Sequence, residues 1–243
     1  MLGDFVILRN RAYMGNTCAT NMHKILDLWS GTGSATQAFK DNGHEIISVD
    51  IRSKYNPTIC GDIVDVTPEM LLRHNNGEMY EFGWASPECK VYSMANCKAR
   101  HFTADTKPNT VEAVAQNMRV QWTRILLEKT CKTWVMENPR GLLRTQYFMK
   151  DLPRHTVTYC QYGDTRMKPT DLWGKFPRLW EPRPPCNYGD DCHVASPRGS
   201  KTGTIGLEPD DRARVPYDLG KSLYLAIRLD DGGNARATLK EWL

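Results

Sequence analysis

Apolar residues gather in short runs, separated by stretches in which they recur every three or four positions. The first run, KILDLWSG from Lys24 to Gly31, ends in glycines, and SATQAFKDNG after it reads as a helix stopped by Gly43. Strand, tight turn and helix is the unit predicted. HEIISVDI, His44 to Ile51, is rich in β-branched residues and lacks alternation, the pattern of a strand buried on both faces. A third run ends at TICGDI, Thr58 to Ile63, a helix-like TPEMLLRH follows Asp65, and YEFGWAS supplies a fourth strand. Val111, Val114, Met118, Trp122 and Ile125 recur at helical spacing, which predicts an amphipathic helix reaching about Lys129. TWVMEN, Thr133 to Asn138, is the next buried strand.

Strands alternating with helices predict an α/β fold, a doubly wound, open and mostly parallel sheet. Ligands bind such sheets beyond the carboxyl ends of the strands. Gly31, Asp50, Asp62, Cys89 and Glu137 all fall at predicted strand ends, so one crevice collects five useful residues. Beyond about Asp171 the texture changes. Phe176 to Gly206 is rich in proline and glycine without periodicity, and VPYDLGKSLYLAIR restores helical spacing through Leu219, Leu223 and Ile227. The expected organisation is a leader or irregular arm (1–23), a catalytic and cofactor-binding domain (24–175), a loop-built recognition insertion (176–206) and a C-terminal helical segment packing back on the catalytic domain (207–243). There are no internal repeats.

With 243 residues the chain can bury a sizeable core, and it contains no apolar run long enough to span a bilayer. Asp4, Arg9 and Arg11 break up the apolar start, against a secretory signal. The net charge of +4 says little about partners, but its distribution says more. Lys90, Lys98, Arg100, His101 and Lys107 crowd one stretch with Asp105 as its only acid, and Arg183, Arg198 and Lys201 recur among prolines and glycines. Basic loops of this kind suit phosphate contacts, and a solvated surface fits the charge equally well.

Eight scattered cysteines in a chain with its own core point to reduced thiols rather than a disulfide framework. Cys160, Cys186, Cys192 and His193 are zinc candidates. Their spacing is not a paired CxxC set, and the adjacency of Cys192 and His193 is awkward for one ion, so the expectation is no metal. In DLWSGTGSATQAF, Gly31 and Gly33 lie between strand and helix, where backbone approaches a ligand closely. Asp50, ending the next strand, can accept both hydroxyls of a ribose, and Gly61 and Asp62 can meet an adenine edge. Without GxxxxGK[ST], a nucleoside lacking a phosphate chain suits the site best.

DLWSGTGSATQAF, VDI, GDI, SPEC followed by Ser93, ENPRG and QYGDTRMKPTDLW stand in the order of motifs found in DNA (cytosine-5) methyltransferases. From Ile25 to Trp173, with an echo in RVPYDLGKSL, the chain resembles that family, in the style of its small phage-type members. The resemblance implies a Rossmann-like, S-adenosylmethionine-dependent enzyme that methylates C5 of cytosine through a covalent Cys89–C6 intermediate on a flipped base. It implies Cys89, Glu137 and Arg166 as catalytic residues, with Glu137 holding N3 and the exocyclic amine and Arg166 the cytosine O2. It implies Asp27, Trp29, Gly31, Thr32, Gly33, Asp50, Ile51, Asp62, Ile63 and Pro87 around S-adenosylmethionine, and Lys90, Ser93, Lys98, Arg100, Lys168, Arg198 and Lys201 against double-stranded DNA. Glu88 stands where the family has proline, and its charge would raise the Cys89 pKa if the two faced each other. Thr170 stands in place of a second arginine. A monomer in the cytoplasm of a bacterial or phage-infected cell is expected, in a phage or restriction–modification setting, where the methylation would serve host defence, protection of a phage genome or regulation. The short insertion leaves room for a protein partner in target recognition. Methylation of RNA or of a free nucleotide, and a catalytically silent DNA-binding protein, are the alternative readings.

Overall fold

The computed structural model describes residues 22–93, 101–194 and 207–230. Its core is one seven-stranded sheet in the order β3-β2-β1-β4-β5-β7-β6. β1 (Lys24–Leu28), β2 (Glu45–Asp50), β3 (Ile59–Cys60), β4 (Tyr80–Ala85) and β5 (Cys131–Pro139) run parallel. β7 (Pro169–Lys175) runs antiparallel between β5 and β6 (Arg154–Thr158). This is the expected α/β class, a doubly wound, mostly parallel, Rossmann-like sheet. Strand order reverses beside β1, between its neighbours β2 and β4, and that reversal opens a crevice at the carboxyl ends.

Both faces are covered. On one, Leu26, Leu28, Ile47 and Val49 pack with Leu71 of α2 (Pro68–His74) and with Val120, Leu126 and Leu127 of α3 (Val111–Thr130). On the other, Ile25, Phe82, Trp84, Val135 and Leu172 pack with Phe39 of α1 (Gln37–Asp41) and with Leu219 and Leu223 of α5 (Tyr217–Asp230). α1 and α5 approach so closely that a Cβ at Gly220 would lie 2.5 Å from the Ala35 carbonyl oxygen. A short α4 (Pro209–Ala213) precedes α5. Local chemistry sets the helix starts: Thr67 and Thr110 each accept the backbone N–H of the third helical residue, Met70 and Ala113, at 3.2 Å, and Pro68 takes the first turn of α2.

The helix predicted from Val111 is present, but it is rotated from the expected face. Val111, Val114 and Met118 are exposed, whereas Ala113, Gln116, Asn117, Val120, Thr123, Leu126, Leu127 and Thr130 are buried. The reason is polar: Gln116, Asn117 and Thr123 face inward because each has a hydrogen-bond partner there, in or beside the crevice. Residues 176–194 of the Pro/Gly-rich stretch form no helix or strand. Trp180 nevertheless anchors them, buried, stacked on Phe176 at 5.0 Å and donating its indole N–H to Ser222 Oγ at 3.0 Å. No described helix is long and apolar enough to cross a membrane.

Candidate active site

At the end of β1 the chain turns through Trp29 (φ 59°), Gly31 (φ 50°) and Gly33 (φ 71°). A left-handed tryptophan is held only by its surroundings, and here the indole N–H donates to Thr123 Oγ1 on α3 at 3.0 Å. Gly31 N–H donates to Asp50 Oδ2 at 2.8 Å, and Arg52 N–H to Asp50 Oδ1 at 2.8 Å, which fixes the buried carboxylate at the end of β2. A cleft of about 250 Å³ opens there, lined by Trp29, Val49, Asp50, Ile51, Gly61, Asp62, Ile63, Glu88, Gln116 and Arg119. Ile51 is 59 % exposed, an apolar wall directly after the carboxylate. Arg119 pairs with Asp62 at 2.7 Å and holds its carboxyl below the usual range. The residues fit S-adenosylmethionine: an apolar wall for a base, the fixed Asp50 carboxylate for a ribose, and Glu88, with Asp62 already paired to Arg119, as the further acid toward a sulfonium or an amine.

Beneath this turn, Asp27 is 1 % exposed. One of its oxygens accepts the Thr36 hydroxyl at 2.7 Å and the other has no hydrogen-bond partner among the described residues. Burial pushes the carboxyl from its ordinary 3.8 up to about 7, with Thr36 opposing and Asp50 adding. The folded protein therefore keeps a proton that the unfolded chain releases. The stabilisation is full below about pH 3.8, declines as pH rises, and is lost above about pH 7. Asp27→Asn, which cannot ionise, is expected to flatten this dependence and raise the urea midpoint at pH 8. Parallel wild-type and variant midpoints from pH 5 to pH 8 would contradict the assignment.

Cys89 follows β4 in a loop pinned from three sides. Asn138 Nδ2 donates to the Pro87 carbonyl at 2.8 Å, Gln116 Nε2 to the Glu88 carbonyl at 3.1 Å, and Tyr92 Oη to Asn117 Oδ1 at 2.8 Å. The thiol is half-buried, and its pKa is raised first by burial and next by Glu137; Lys168 lowers it. Glu88 is exposed and contributes least to the shift, so the charge expected to disturb the thiol has little hold on it.

Glu137, near the end of β5, is 4 % exposed and accepts the Tyr159 hydroxyl at 3.0 Å. Lys168 precedes β7 in a left-handed conformation (φ 26°), 4.4 Å over the Tyr159 ring, and donates to the Arg212 carbonyl at 2.9 Å. Burial lowers its pKa, and Glu137 opposes that shift. Lys168, expected against DNA, is thus a buried cation in this structure. Arg166 is also buried, but its guanidinium grips Asp164 and the carbonyls of Asp211 and Arg214. That bonding leaves it a structural clamp in this geometry.

Cys89, Glu137 and Lys168 meet electrostatically, and Trp29, Asp50, Ile51, Asp62 and Ile63 line the cleft together. Asp27, Gly31, Thr32, Gly33 and Pro87 are not among the lining residues; Asp27 and Gly31 support it, and Pro87 holds the Cys89 loop. Lys90 and Ser93 follow Cys89 in the chain, while Lys98, Arg100, Arg198 and Lys201 lie outside the described residues. Gln116, Arg119 and Tyr159 were missed. For the first two the signal was available, as polar positions three apart on α3, facing the strand ends. Cys160, Cys186, Cys192 and His193 also come together, apart from the cleft.

No protein-family model matches the chain, and no curated protein matches it. Among solved structures it is similar to a DNA modification methyltransferase encoded within an E. coli prophage, at 13% identity and a TM-score of 0.47, over 77% of this chain and 56% of that one. It is also similar to the Dnmt2 methyltransferase of S. pombe (13%, TM-score 0.43, 63% of this chain and 50% of that one). A DNMT2 mutant of Spodoptera frugiperda compares at 18%, TM-score 0.41, 68% and 53%. The chain spans about half the length of these proteins.

Proposed function

We propose that this chain is an S-adenosylmethionine-dependent methyltransferase that acts on C5 of cytosine in DNA, with Cys89 as its nucleophile. One observation carries the reading: at the strand ends a half-buried thiol is coupled electrostatically to a buried carboxylate and a buried ammonium, next to a cleft of about 250 Å³ whose wall includes Glu88, the residue before the thiol. C5 of cytosine is a poor nucleophile, and covalent addition activates it. Cys89 thiolate bonds to C6, and the C5=C6 electron pair shifts toward C5. Glu137, oriented by Tyr159, holds N3 and the exocyclic amine and so favours the ring's developing charge. Lys168 favours the thiolate and takes the O2 contact expected of Arg166, whose guanidinium is engaged with Asp164. S-adenosylmethionine, when bound in the cleft, would supply an electrophilic methyl group to C5, its S–CH3 bond breaking and S-adenosylhomocysteine leaving. Once C5 carries the methyl group, loss of the C5 proton to a base restores the double bond and expels the Cys89 thiolate.

A stacked base cannot bring C6 to a recessed thiol, so the target base leaves the duplex. Lys90 and Ser93, beside Cys89, contact the DNA backbone, and residues 176–206 read the target. Asp50→Ala is expected to weaken S-adenosylhomocysteine binding about tenfold to a hundredfold, the worth of a charged hydrogen bond, by calorimetry. Unchanged affinity would move the cofactor elsewhere.

The deciding experiment is nucleoside mass spectrometry after incubation with S-adenosylmethionine and, separately, duplex DNA, RNA or dCMP. 5-Methyldeoxycytidine arising from duplex DNA is the expected result. Product only from RNA or dCMP would keep the chemistry and reject the substrate, and no product in any pool would favour a silent binding protein.

A further inference from the structure

Away from the cleft, four soft ligands converge in the segment where the sequence suggested no metal. Cys160 lies in the turn Tyr159–Tyr162, and Cys186, Cys192 and His193 lie in the Pro/Gly-rich stretch. Their ligand atoms all fall within 4.8 Å of one another. Cys160 Sγ is 3.1 Å from Cys186 Sγ and 3.6 Å from Cys192 Sγ, while His193 Nδ1 is 3.7 Å from Cys186 Sγ and 3.5 Å from Cys192 Sγ. A tetrahedral zinc with Zn–S of about 2.3 Å and Zn–N of about 2.1 Å has edges of about 3.8 Å for S···S and about 3.6 Å for S···N. Three of these four separations match those edges to about 0.2 Å, and the closest pair needs to open by about 0.7 Å. Adjacency of Cys192 and His193 is no obstacle, since Nδ1 and Sγ turn toward the same point.

We infer that Cys160, Cys186, Cys192 and His193 bind one zinc ion, a closed Cys₃His site that is structural rather than catalytic. All four positions come from the protein, leaving none for water or substrate. The backbone around the ligands is already braced: Cys186 N–H donates to Thr158 Oγ1 at 3.0 Å, Arg183 N–H to Tyr162 Oη at 2.8 Å, and Val194 N–H to the Thr165 carbonyl at 2.8 Å. A segment with few buried apolar side chains gains a cross-link to the turn that begins at Tyr159, the residue that orients Glu137. Zinc therefore fixes the stretch leading into residues 195–206 to the wall of the active site.

The test is metal analysis of the full chain, expressed with zinc and purified without chelator under reducing conditions. One zinc per chain is expected. Cys186→Ser and Cys192→Ser should each lose it, while Cys60→Ser, at an exposed thiol elsewhere, should keep it. Replacement by cobalt(II) should give the visible bands of a tetrahedral thiolate site. Should the variants fail to fold, wild type still decides: chelator treatment should expose Cys160, Cys186 and Cys192 to alkylation together, with Cys60 reactive throughout. A folded wild type without zinc, zinc retained by Cys186→Ser, or a Cys160–Cys186 disulfide in the purified protein would each overturn the inference. None of these readouts depends on methyl transfer, so this inference and the function proposed above fail separately.

Discussion

Cys89→Ser is expected to lower methyl transfer by on the order of 10⁴-fold or more, the scale seen when a covalent nucleophile is removed. It should leave S-adenosylhomocysteine affinity essentially unchanged, because Cys89 itself does not line the cleft and the loop that brings Glu88 to it is held through backbone carbonyls by Gln116 and Asn138. A serine hydroxyl ionises far less readily than a thiol, so the C6 bond cannot form at a useful rate. The second readout is a denaturant-stable complex with duplex DNA containing 5-fluorocytosine. Fluorine cannot leave as the C5 proton does, so wild type should be trapped and Cys89→Ser should not. Trapping should also accelerate as pH rises above neutrality, because burial and Glu137 keep the free thiol protonated while Lys168 only partly compensates. A Cys89→Ser protein that still methylates within tenfold of wild type, or wild type that binds DNA without forming the adduct, would remove the nucleophile from the proposal.

The parallel half of the sheet was legible because its signals are local. β1, β2, β4 and β5 are apolar runs too short for helices, buried on both faces, and the turns between them are marked by glycine, proline and capping threonines. The β6–β7 pair was not legible. Arg154–Thr158 carries one strongly apolar residue, Val157, and Pro169–Lys175 owes its place to pairing with β5, a contact that periodicity does not encode. α3 was legible as a helix but not in its orientation. An apolar stripe normally marks the inner face, and here hydrogen bonds to the Cys89 loop outweigh it.

The site divides in the same way. Asp50, Ile51 and Cys89 follow from strand ends, where topology concentrates ligands regardless of side-chain detail. Lys168 and Arg166 are two residues apart, and sequence ranks the arginine as the better hydrogen-bond donor. What separates them is Asp164, which captures the guanidinium locally, and Glu137 of β5, whose charge favours the Lys168 ammonium. The cysteine–histidine cluster was discounted on spacing, yet the fold brings the ligands together through a turn after β6 and an irregular segment.

Glu137→Gln is expected to move two rates in opposite directions. Methyl transfer should fall by about 10²- to 10³-fold, because an amide cannot share a proton with N3 or balance the ring's developing charge as a carboxyl group can when the C6 bond forms. Alkylation of Cys89 by iodoacetamide at pH 7.5 should instead quicken by several-fold to about tenfold, since the carboxylate is the second largest cause of the raised thiol pKa, after burial. The thiol stays where it is: glutamine keeps an oxygen for the Tyr159 hydroxyl, and the Cys89 loop is pinned by Asn138 and Gln116. Peptide mass spectrometry must follow Cys89 alone, because Cys60 is exposed and reacts in both proteins. Lys168→Met supplies the mirror image, removing the cation that favours the thiolate and slowing the same alkylation. Crossed effects of this kind separate chemistry from unfolding, because a damaged fold would expose the thiol in both variants and accelerate alkylation in each. If Glu137→Gln left alkylation unchanged while abolishing methyl transfer, Glu137 would act on the base alone, and the electrostatic coupling between carboxylate and thiol would be absent from the working site.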